Sequence, residues 1–323
     1  MKAAVSTRYG PPDVVEIREV DPPEVRDEDV LIRVRATTVN RTDCAYRAAR
    51  PFFMRAATGL RRPRRPILGT EYAGVVESVG RAVTAFAPGD RVFGYNEGRL
   101  GAHAEFLAVS QTAPLAPIPA GVTFRAAAPA TEGAHYALAI LRTGRIRAGQ
   151  RVLVYGATGA IGSAAVQLLK AIDVRVTAVC GPDQIELVRG LGADRVVDYV
   201  AEDFTADRTA YDAVIDAVGK STFGRCRRLL RPRGRYLSTE LGPWSQNIWL
   251  ALTTPAFGGR RVTFPFPRQD QPMIRHLADL IRSGRFTPVV DRTYPLDRIV
   301  DAYRFVETGR KIGSVVIDVA PER

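Results

Sequence analysis

Residues 151–170 read RVLVYGATGAIGSAAVQLLK. An apolar run at 152–155, led by Arg151, meets three glycines in the spacing G-x-x-G-x-x-G, namely Gly156, Gly159 and Gly162, and a stretch rich in alanine and leucine follows. The pattern predicts a strand over 151–155, a loop, and a helix over 161–171. Each glycine has a separate physical task. Gly156 allows a tight turn out of the strand, Gly159 lets a pyrophosphate approach the backbone, and Gly162 lets the helix pack closely on the sheet. Around them Thr158, Ala160 and Ile161 open the helix, whose free N–H groups and positive dipole end suit phosphate. A glycine triplet alone is weak evidence, and a purely structural turn is the alternative. Between a strand and a helix it is a much stronger nucleotide signal.

Downstream, expected strands at 174–179, 195–198, 212–216 and 234–238 alternate with expected helices at 183–190 and 221–230, which implies a parallel sheet covered on both faces. The second strand ends at Cys180-Gly181 without the acid that usually holds the ribose diol of NAD(H). Asp183 and Gln184 come slightly later, and Tyr199 follows the third strand. Asp216-Ala217-Val218-Gly219 closes the fourth strand beside the expected ligand, although Asp216 is equally suited to capping the next turn. Upstream, 125–142 reads as helix with Pro129 near its start or at a kink. Towards the end, 272–283 and 296–307 read as helices and 312–318 as a strand.

The first 122 residues have another character. Short strands are expected at 2–7, 14–19, 29–39, 72–80, 91–93 and 103–109, with a glycine in the fourth where a side chain would crowd its surroundings. Residues 51–66 are irregular and rich in arginine, proline and aromatics, an exposed flap with local helix. The reading is a compact, mostly β first domain.

The chain has 323 residues with 46% hydrophobic and 25% charged, ordinary for two globular domains. Its formal charge of +12 raises the question of nucleic acid, but the arginines are spread along the chain outside any finger, zipper or RNP-like context, so nucleic acid is disfavoured. The three cysteines, Cys44, Cys180 and Cys226, have no zinc-clip spacing and fit a reducing compartment. With no secretory pattern and no run of about 18 apolar residues, a cytoplasmic protein without membrane partners is expected.

Several separated motifs now resemble one family, the medium-chain dehydrogenase/reductase superfamily and in particular its zinc-free quinone oxidoreductase-like branch. They are Val39-Asn40 with Asp43, the stretch LGTEYAGVV at 68–76, Val79-Gly80, Gly89-Asp90-Arg91-Val92, the glycine loop, Gly192-Ala193-Asp194, Asp198-Tyr199 and Gly309-Arg310-Lys311-Ile312. The resemblance implies an α/β architecture: a GroES-like mostly-β catalytic domain over 1–122, a Rossmann-like NADP(H)-binding domain over 123–265, and a return to the catalytic domain over 266–323, with the active site in the cleft between them. Thr70 stands where zinc-dependent relatives carry a histidine, and the four-cysteine structural lobe is missing. No bound metal is therefore expected.

The implied reaction is hydride transfer from NADPH, with NADH as the second possibility, to a small-molecule carbonyl, enone or quinone. An alcohol dehydrogenase, a biosynthetic tailoring reductase and a non-enzymatic NADPH- or RNA-binding protein are the alternatives. Tyr46 is the preferred hydrogen-bond donor to the acceptor, or else a core or rim tyrosine. Asn40 and Asp43 belong to the first active-site segment, where Asn40 either orients a ligand or braces a turn. Arg47 and the segment Phe52–Met54 are expected to shape the acceptor pocket. His135 falls where the branch usually has a threonine near the nicotinamide, so it either contacts the cofactor or sits satisfied in its helix. Lys311, Gly181, Ala217, Val218 and Gly219 complete the expected cofactor contacts. Missing strand-end acid and Tyr199 favour NADPH, while Asp183 and Gln184, where relatives often offer a lysine, argue against it. An edge strand around 260–264 suggests a homodimer.

Overall fold

The computed structural model describes residues 1–320, without the side chain of Ala57. The chain divides into two compact units, one of Met1–Glu132, Gln269–Ser283 and the chain from Thr287 onward, the other of Gly133–Arg268 and Gly284–Phe286.

The first unit opens with β1 (Lys2–Ser6), β2 (Val15–Glu19), β3 (Asp29–Val39), α1 (Arg41–Ala48), α2 (Arg55–Thr58), β4 (Glu71–Val79), β5 (Arg91–Tyr95), β6 (Phe106–Ser110), β7 (Leu115–Pro117) and α3 (Phe124–Ala127). Helix α4 (Glu132–Gly144) leads into the second unit, which holds β8 (Arg151–Tyr155), α5 (Ala160–Lys170), β9 (Arg175–Cys180), α6 (Ile185–Gly190), β10 (Arg195–Asp198), β11 (Tyr211–Asp216), α7 (Phe223–Cys226), β12 (Leu230–Ser238), α8 (Gln246–Thr253) and β13 (Arg261–Thr263). The first unit resumes with α9 (Gln271–Arg282), β14 (Val290–Pro295), α10 (Ile299–Glu307) and β15 (Ser314–Asp318).

In the first unit the sheet order is β14-β15-β3-β4-β5-β7, with β6 also on β3 and β1-β2 as a separate pair. The long strand β3 sits centrally: β6 pairs with Asp29–Arg33, β15 with Ala36–Val39 and β4 along most of its length, and its last four residues are all buried. Gly74 is needed there: a Cβ would lie 2.2 Å from the Arg33 carbonyl oxygen on the neighbouring strand. The second unit has one sheet, β10-β9-β8-β11-β12-β13, parallel throughout. That is the doubly wound order, whose direction reverses between β8 and β11, and ligands bind there beyond the strand ends. Burial of Val152, Leu153 and Val154 explains why β8 reads as an unbroken apolar run.

The structure departs from expectation in several elements. The helix expected over 221–230 is only α7 and one 3-10 turn (Arg227–Leu229) before β12 begins. Cys226, Leu229 and Leu230 have helical spacing and are all buried, but Pro232 forbids continuation and biases its neighbour to extended backbone. The helix expected over 125–142 breaks into a 3-10 turn at Ala128–Ala130, around Pro129, before α4. Helices α1 and α8 and the largely exposed strand β14 were not anticipated, since none carries a clear apolar period. Among the described residues no helix is long and apolar enough to cross a membrane.

Candidate functional site

In the second unit β8 runs into the glycine loop and α5. Gly156 has φ +81°, and a Cβ there would lie 2.3 Å from Val218. A Cβ on Gly162 would lie 2.0 Å from the Gly156 carbonyl oxygen. Gly159 differs: its backbone is ordinary extended, with φ −72° and ψ 169°, and an added Cβ would meet only the Gly156 carbonyl oxygen, at 3.8 Å. Gly156 and Gly162 are therefore demanded by packing, whereas Gly159 keeps clear a space that a side chain would fill. Gly159 is the N-cap of α5 and supplies no side-chain cap, so the first-turn amides of Ala160, Ile161 and Gly162 stay suited to an anion. These residues, with Thr158 beside them, fit a dinucleotide pyrophosphate.

At the end of β9 a Cβ on Gly181 would lie 2.9 Å from Gln184 Oε1 and 3.3 Å from the Tyr199 hydroxyl. The fold thus brings Gly181, Gln184 and Tyr199 together beside Cys180, a buried thiol pushed up to about 11 by its burial and then by the charge of Asp198. Asp183 is exposed in the intervening 3-10 turn, Pro182–Gln184. Asp216 is fully buried: it accepts from Val218 N (3.1 Å), Gly219 N (2.8 Å), Ser221 N (3.0 Å) and the Tyr236 hydroxyl (2.9 Å). Its four bonds brace the turn that carries Ala217, Val218 and Gly219. His135 is buried in α4, its ring 4.5 Å from that of Tyr136. Two residues earlier, Gly133 packs so closely that a Cβ would lie 2.5 Å from the Ala160 carbonyl oxygen.

In the first unit Asn40 and Asp43 form a reciprocal capping box at the start of α1. Asn40 Oδ1 accepts from Asp43 N at 2.8 Å, and Asp43 accepts from Asn40 N at 3.1 Å. Asn40 also donates to Thr70 Oγ1 at 2.8 Å. Of the two roles open to Asn40, the hydrogen bonds show the brace. Glu71 and Glu132, which the sequence reading did not single out, lie here as well. Buried Glu71 accepts from the Thr38 hydroxyl (2.6 Å), the Thr131 hydroxyl and amide (2.8 and 3.1 Å) and the Glu132 amide (2.7 Å), closing the N-terminus of α4. The signal for Glu71 was its place as the one charged residue in LGTEYAGVV. Glu132 accepts from the Thr42 hydroxyl at 2.6 Å and the Thr70 hydroxyl at 3.3 Å. Burial, then the charges of Glu71 and Asp43, hold its carboxyl well above the usual range. Burial also raises Asp43, and lowers Lys311, whose ammonium is pulled back upward by Glu132 and Glu71. Lys311 donates to the Gly313 carbonyl at 2.5 Å. Among the described residues no group of three or more His, Cys, Asp or Glu is disposed to hold a metal ion.

The first unit also encloses a cavity of about 250 Å³. Tyr9, Tyr46, Leu68 and Leu100 line it, together with the charged residues Arg64, Arg65 and Glu97. The Tyr46 hydroxyl makes one long bond, 3.4 Å to Glu97, which also accepts from Tyr95 at 3.1 Å. Burial and then the Glu97 charge push the phenol up to about 12, so Tyr46 stays protonated at neutral pH and has little bonding to give up. Arg47 does not shape this cavity. It is 1% exposed, stacks 5.0 Å from the Tyr303 ring centre and pairs with Glu307, because the helical turn of about 100° per residue points it away from its neighbour Tyr46. Phe52 and Phe53 also stay outside, 75% and 68% exposed, and the flap meets the cavity through Thr58, Pro63 and Arg64 instead.

Comparison with known proteins places these features in a family. Residues 26–120 match the alcohol dehydrogenase GroES-like domain, and residues 191–317 match the zinc-binding dehydrogenase family. The chain is 32% identical to the quinone oxidoreductase of Pseudomonas aeruginosa, over 96% of this chain and 97% of that protein. It is 31% identical to the chloroplastic NADPH-dependent alkenal/one oxidoreductase of Arabidopsis thaliana, over 99% of this chain and 80% of that protein. The solved quinone oxidoreductase of Coxiella burnetii superimposes with a TM-score of 0.88 at 25% identity, over 99% of both chains. The chain belongs to the medium-chain dehydrogenase/reductase superfamily, in the quinone oxidoreductase-like branch that lacks the catalytic zinc-binding residues. It is an NAD(P)H-binding oxidoreductase with the GroES-like and Rossmann-like architecture of that family.

Proposed function

We propose that the protein uses NADPH to reduce a quinone or an α,β-unsaturated carbonyl compound. The observation that carries this reading is the Tyr46 hydroxyl, held by one long 3.4 Å bond in a cavity of about 250 Å³ in the first unit. Bound NADPH supplies hydride from its nicotinamide ring. Tyr46 donates a hydrogen bond to the acceptor's carbonyl oxygen as negative charge grows there. The product gains one hydride from the cofactor and one proton from solvent, so an enone becomes a saturated ketone and a quinone a hydroquinone. With a hydrogen-bond donor in place of a Lewis acid, activated acceptors suit this protein better than simple alcohols.

In the second unit Gly156, Thr158, Gly159, Ala160, Ile161 and Gly162 hold the pyrophosphate. Cys180, Gly181, Gln184 and Tyr199 border the adenosine ribose, with no strand-end acid to repel a 2′-phosphate, and Ala217–Gly219 line the reversal point. His135 completes the cofactor contacts of this unit, and in the first unit Asn40 and Asp43 hold the acceptor side in shape. Two copies pair along the β13 edge, next to which Trp249, Leu252 and Phe257 are exposed; light scattering at micromolar concentration should return the dimer mass, and a monomer mass would contradict it.

The test is NADPH oxidation over a panel of quinones, enals, enones and enoyl thioesters. Tyr46→Phe should lower kcat/KM for the best acceptor about 10- to 100-fold, roughly 1.4–2.7 kcal/mol, with NADPH affinity unchanged. Elemental analysis should find less than about one tenth of an equivalent of zinc. No turnover with any acceptor, or a Tyr46→Phe enzyme as fast as wild type, would overturn the reading.

A further inference from the structure

Residues 61–65, RRPRR, place four arginines in five positions, and the chemistry above leaves them unused. Their loop has a defined shape. Gly59 has φ +126°, and a Cβ on it would lie 2.1 Å from the Arg62 carbonyl oxygen. The Arg64 amide donates to the Thr58 carbonyl at 2.8 Å. The Tyr9 hydroxyl, itself at the cavity, bonds Thr58 Oγ1 at 2.7 Å and the Gly59 carbonyl at 2.8 Å. These bonds hold the basic loop against the cavity, so that Arg64 and Arg65 line it. Arg65 is engaged with the Gly98 carbonyl. Among the described residues, Arg61, Arg62 and Arg64 have no carboxylate within ion-pair distance. Glu97, the acid of the cavity, is taken up by Tyr46, Tyr95 and Gln269. The cavity therefore has an uncompensated cation at Arg64, an acid at Glu97, and apolar lining from Leu68, Leu100 and the Tyr9 ring.

We propose that this cavity selects electron-poor acceptors that carry an anionic group, bound by Arg64 with Arg61 and Arg62 in support. The proposal rests on the reading of the cavity as the acceptor site. A guanidinium presents parallel N–H donors that match a carboxylate, sulfonate or phosphate. Neighbouring arginines raise the local anion concentration, an effect that salt screens. The guanidinium of Arg64 draws the anionic group to its end of the cavity, so the acceptor enters with its carbonyl at Tyr46 and its anionic group at Arg64.

A matched pair tests this: 4-carboxybenzalacetone, an enone whose carboxylate is remote from the reacting carbons, and its methyl ester. For each, kcat/KM with NADPH and the dissociation constant from NADP⁺-loaded protein are measured at low ionic strength. Wild type should favour the acid about tenfold in both measurements. Arg64→Gln should abolish that preference by lowering the acid's values to those of the ester, with the affinity for NADPH unchanged. The double variant Arg61→Gln/Arg62→Gln should reduce it about two- to threefold, and about 0.3 M salt should do the same. Equal handling of acid and ester by wild type, or an acid preference that survives in Arg64→Gln, overturns the proposal. So does an Arg64→Gln protein that instead loses NADPH affinity, because the arginine would then serve the cofactor. The two readings fail separately: if both compounds are reduced equally well, the enone reductase stands and the anion site falls; if neither is reduced but the acid still binds about tenfold tighter, the anion site stands and the reductase reading falls.

Discussion

The loop at 156–162 in the second unit is shaped by glycines and presents almost no side chains, whereas the loop at 59–65 in the first presents mainly arginine side chains. In the first case Gly156 and Gly162 set the geometry, Gly159 leaves space open, and the groups presented are backbone amides at a helix start. In the second a single glycine shapes a turn that presents arginines to a cavity. A site made of backbone tolerates little change at its packing positions and more at its open one. A site made of exposed side chains can be retuned without cost to the fold.

The harshest way to test the backbone-built loop is Gly162→Val. A Cβ at 2.0 Å from the Gly156 carbonyl oxygen forces α5 off the loop. The expected cost is on the order of 3 kcal/mol in stability and at least about a hundredfold in NADPH affinity. Thermal unfolding and calorimetry measure the two, and a variant with wild-type melting temperature and NADPH binding would show that Gly162 is not a packing requirement.

The first unit has its own backbone-imposed glycine, and it bears on pH dependence. Gly69 has φ +97°, and a Cβ there would lie 2.6 Å from the His103 ring. His103 is buried, with Nε2 2.7 Å from the Thr38 carbonyl oxygen and Nδ1 3.4 Å from the Tyr303 hydroxyl. Burial pushes it down to about 4, the Thr38 bond opposing the shift. Because the native value lies below that of the unfolded chain, the unfolded state binds the extra proton. The associated stability is full above about pH 6.5 and is lost as pH falls towards 4, by about 3 kcal/mol at most. The raised carboxyls of Asp43 and Glu132 act in the opposite direction, costing stability as pH rises. Urea unfolding of wild type and His103→Gln at pH 7.5 and 4.5 separates the two contributions: acidification should hurt the wild type more, and equal pH dependence would refute the assignment.

Gly159→Leu sharpens the comparison, since the same loop here offers an open position. Its backbone suits any residue and its surroundings are empty, so the melting temperature should stay put. NADPH affinity should fall about tenfold, or 1.4 kcal/mol, as the side chain fills the pyrophosphate space. Calorimetry showing unchanged binding would remove Gly159 from the site.

The smallest expected effect concerns the adenosine end, where backbone gives way to side chains. Wild type should prefer NADPH over NADH by roughly tens-fold in kcat/KM at fixed ionic strength, about 2 kcal/mol. Asp183 is exposed beside the cluster of Gly181, Gln184 and Tyr199. Asp183→Ala should raise the NADPH/NADH ratio about two- to fivefold by removing a repulsive charge. A preference for NADH in the wild type would mean that Asp183 outweighs the missing strand-end acid.

Local sequence by itself determined the second unit's nucleotide loop and the alternation of strands and helices around it. Those features follow from φ requirements, close backbone approach and apolar periodicity, all of which act within a few residues. The capping box of α1 was also written locally, as Asn40 and Asp43 three positions apart, though its polar helix hid it. Cys226, Leu229 and Leu230 show the complementary limit: helical spacing is consistent with their burial, and only sheet pairing decides that the last of them begins β12. Tertiary structure alone decided the cavity of the first unit and the carboxylates near it. Glu71, Thr131 and Glu132 meet across about 60 positions of chain, and Tyr46 and Glu97 across 51. No local pattern could show that Arg47 turns inward to Tyr303 and Glu307 while Arg64 faces the cavity. The loop joining distant strands bears little local constraint, and long-range packing settles where its side chains end up.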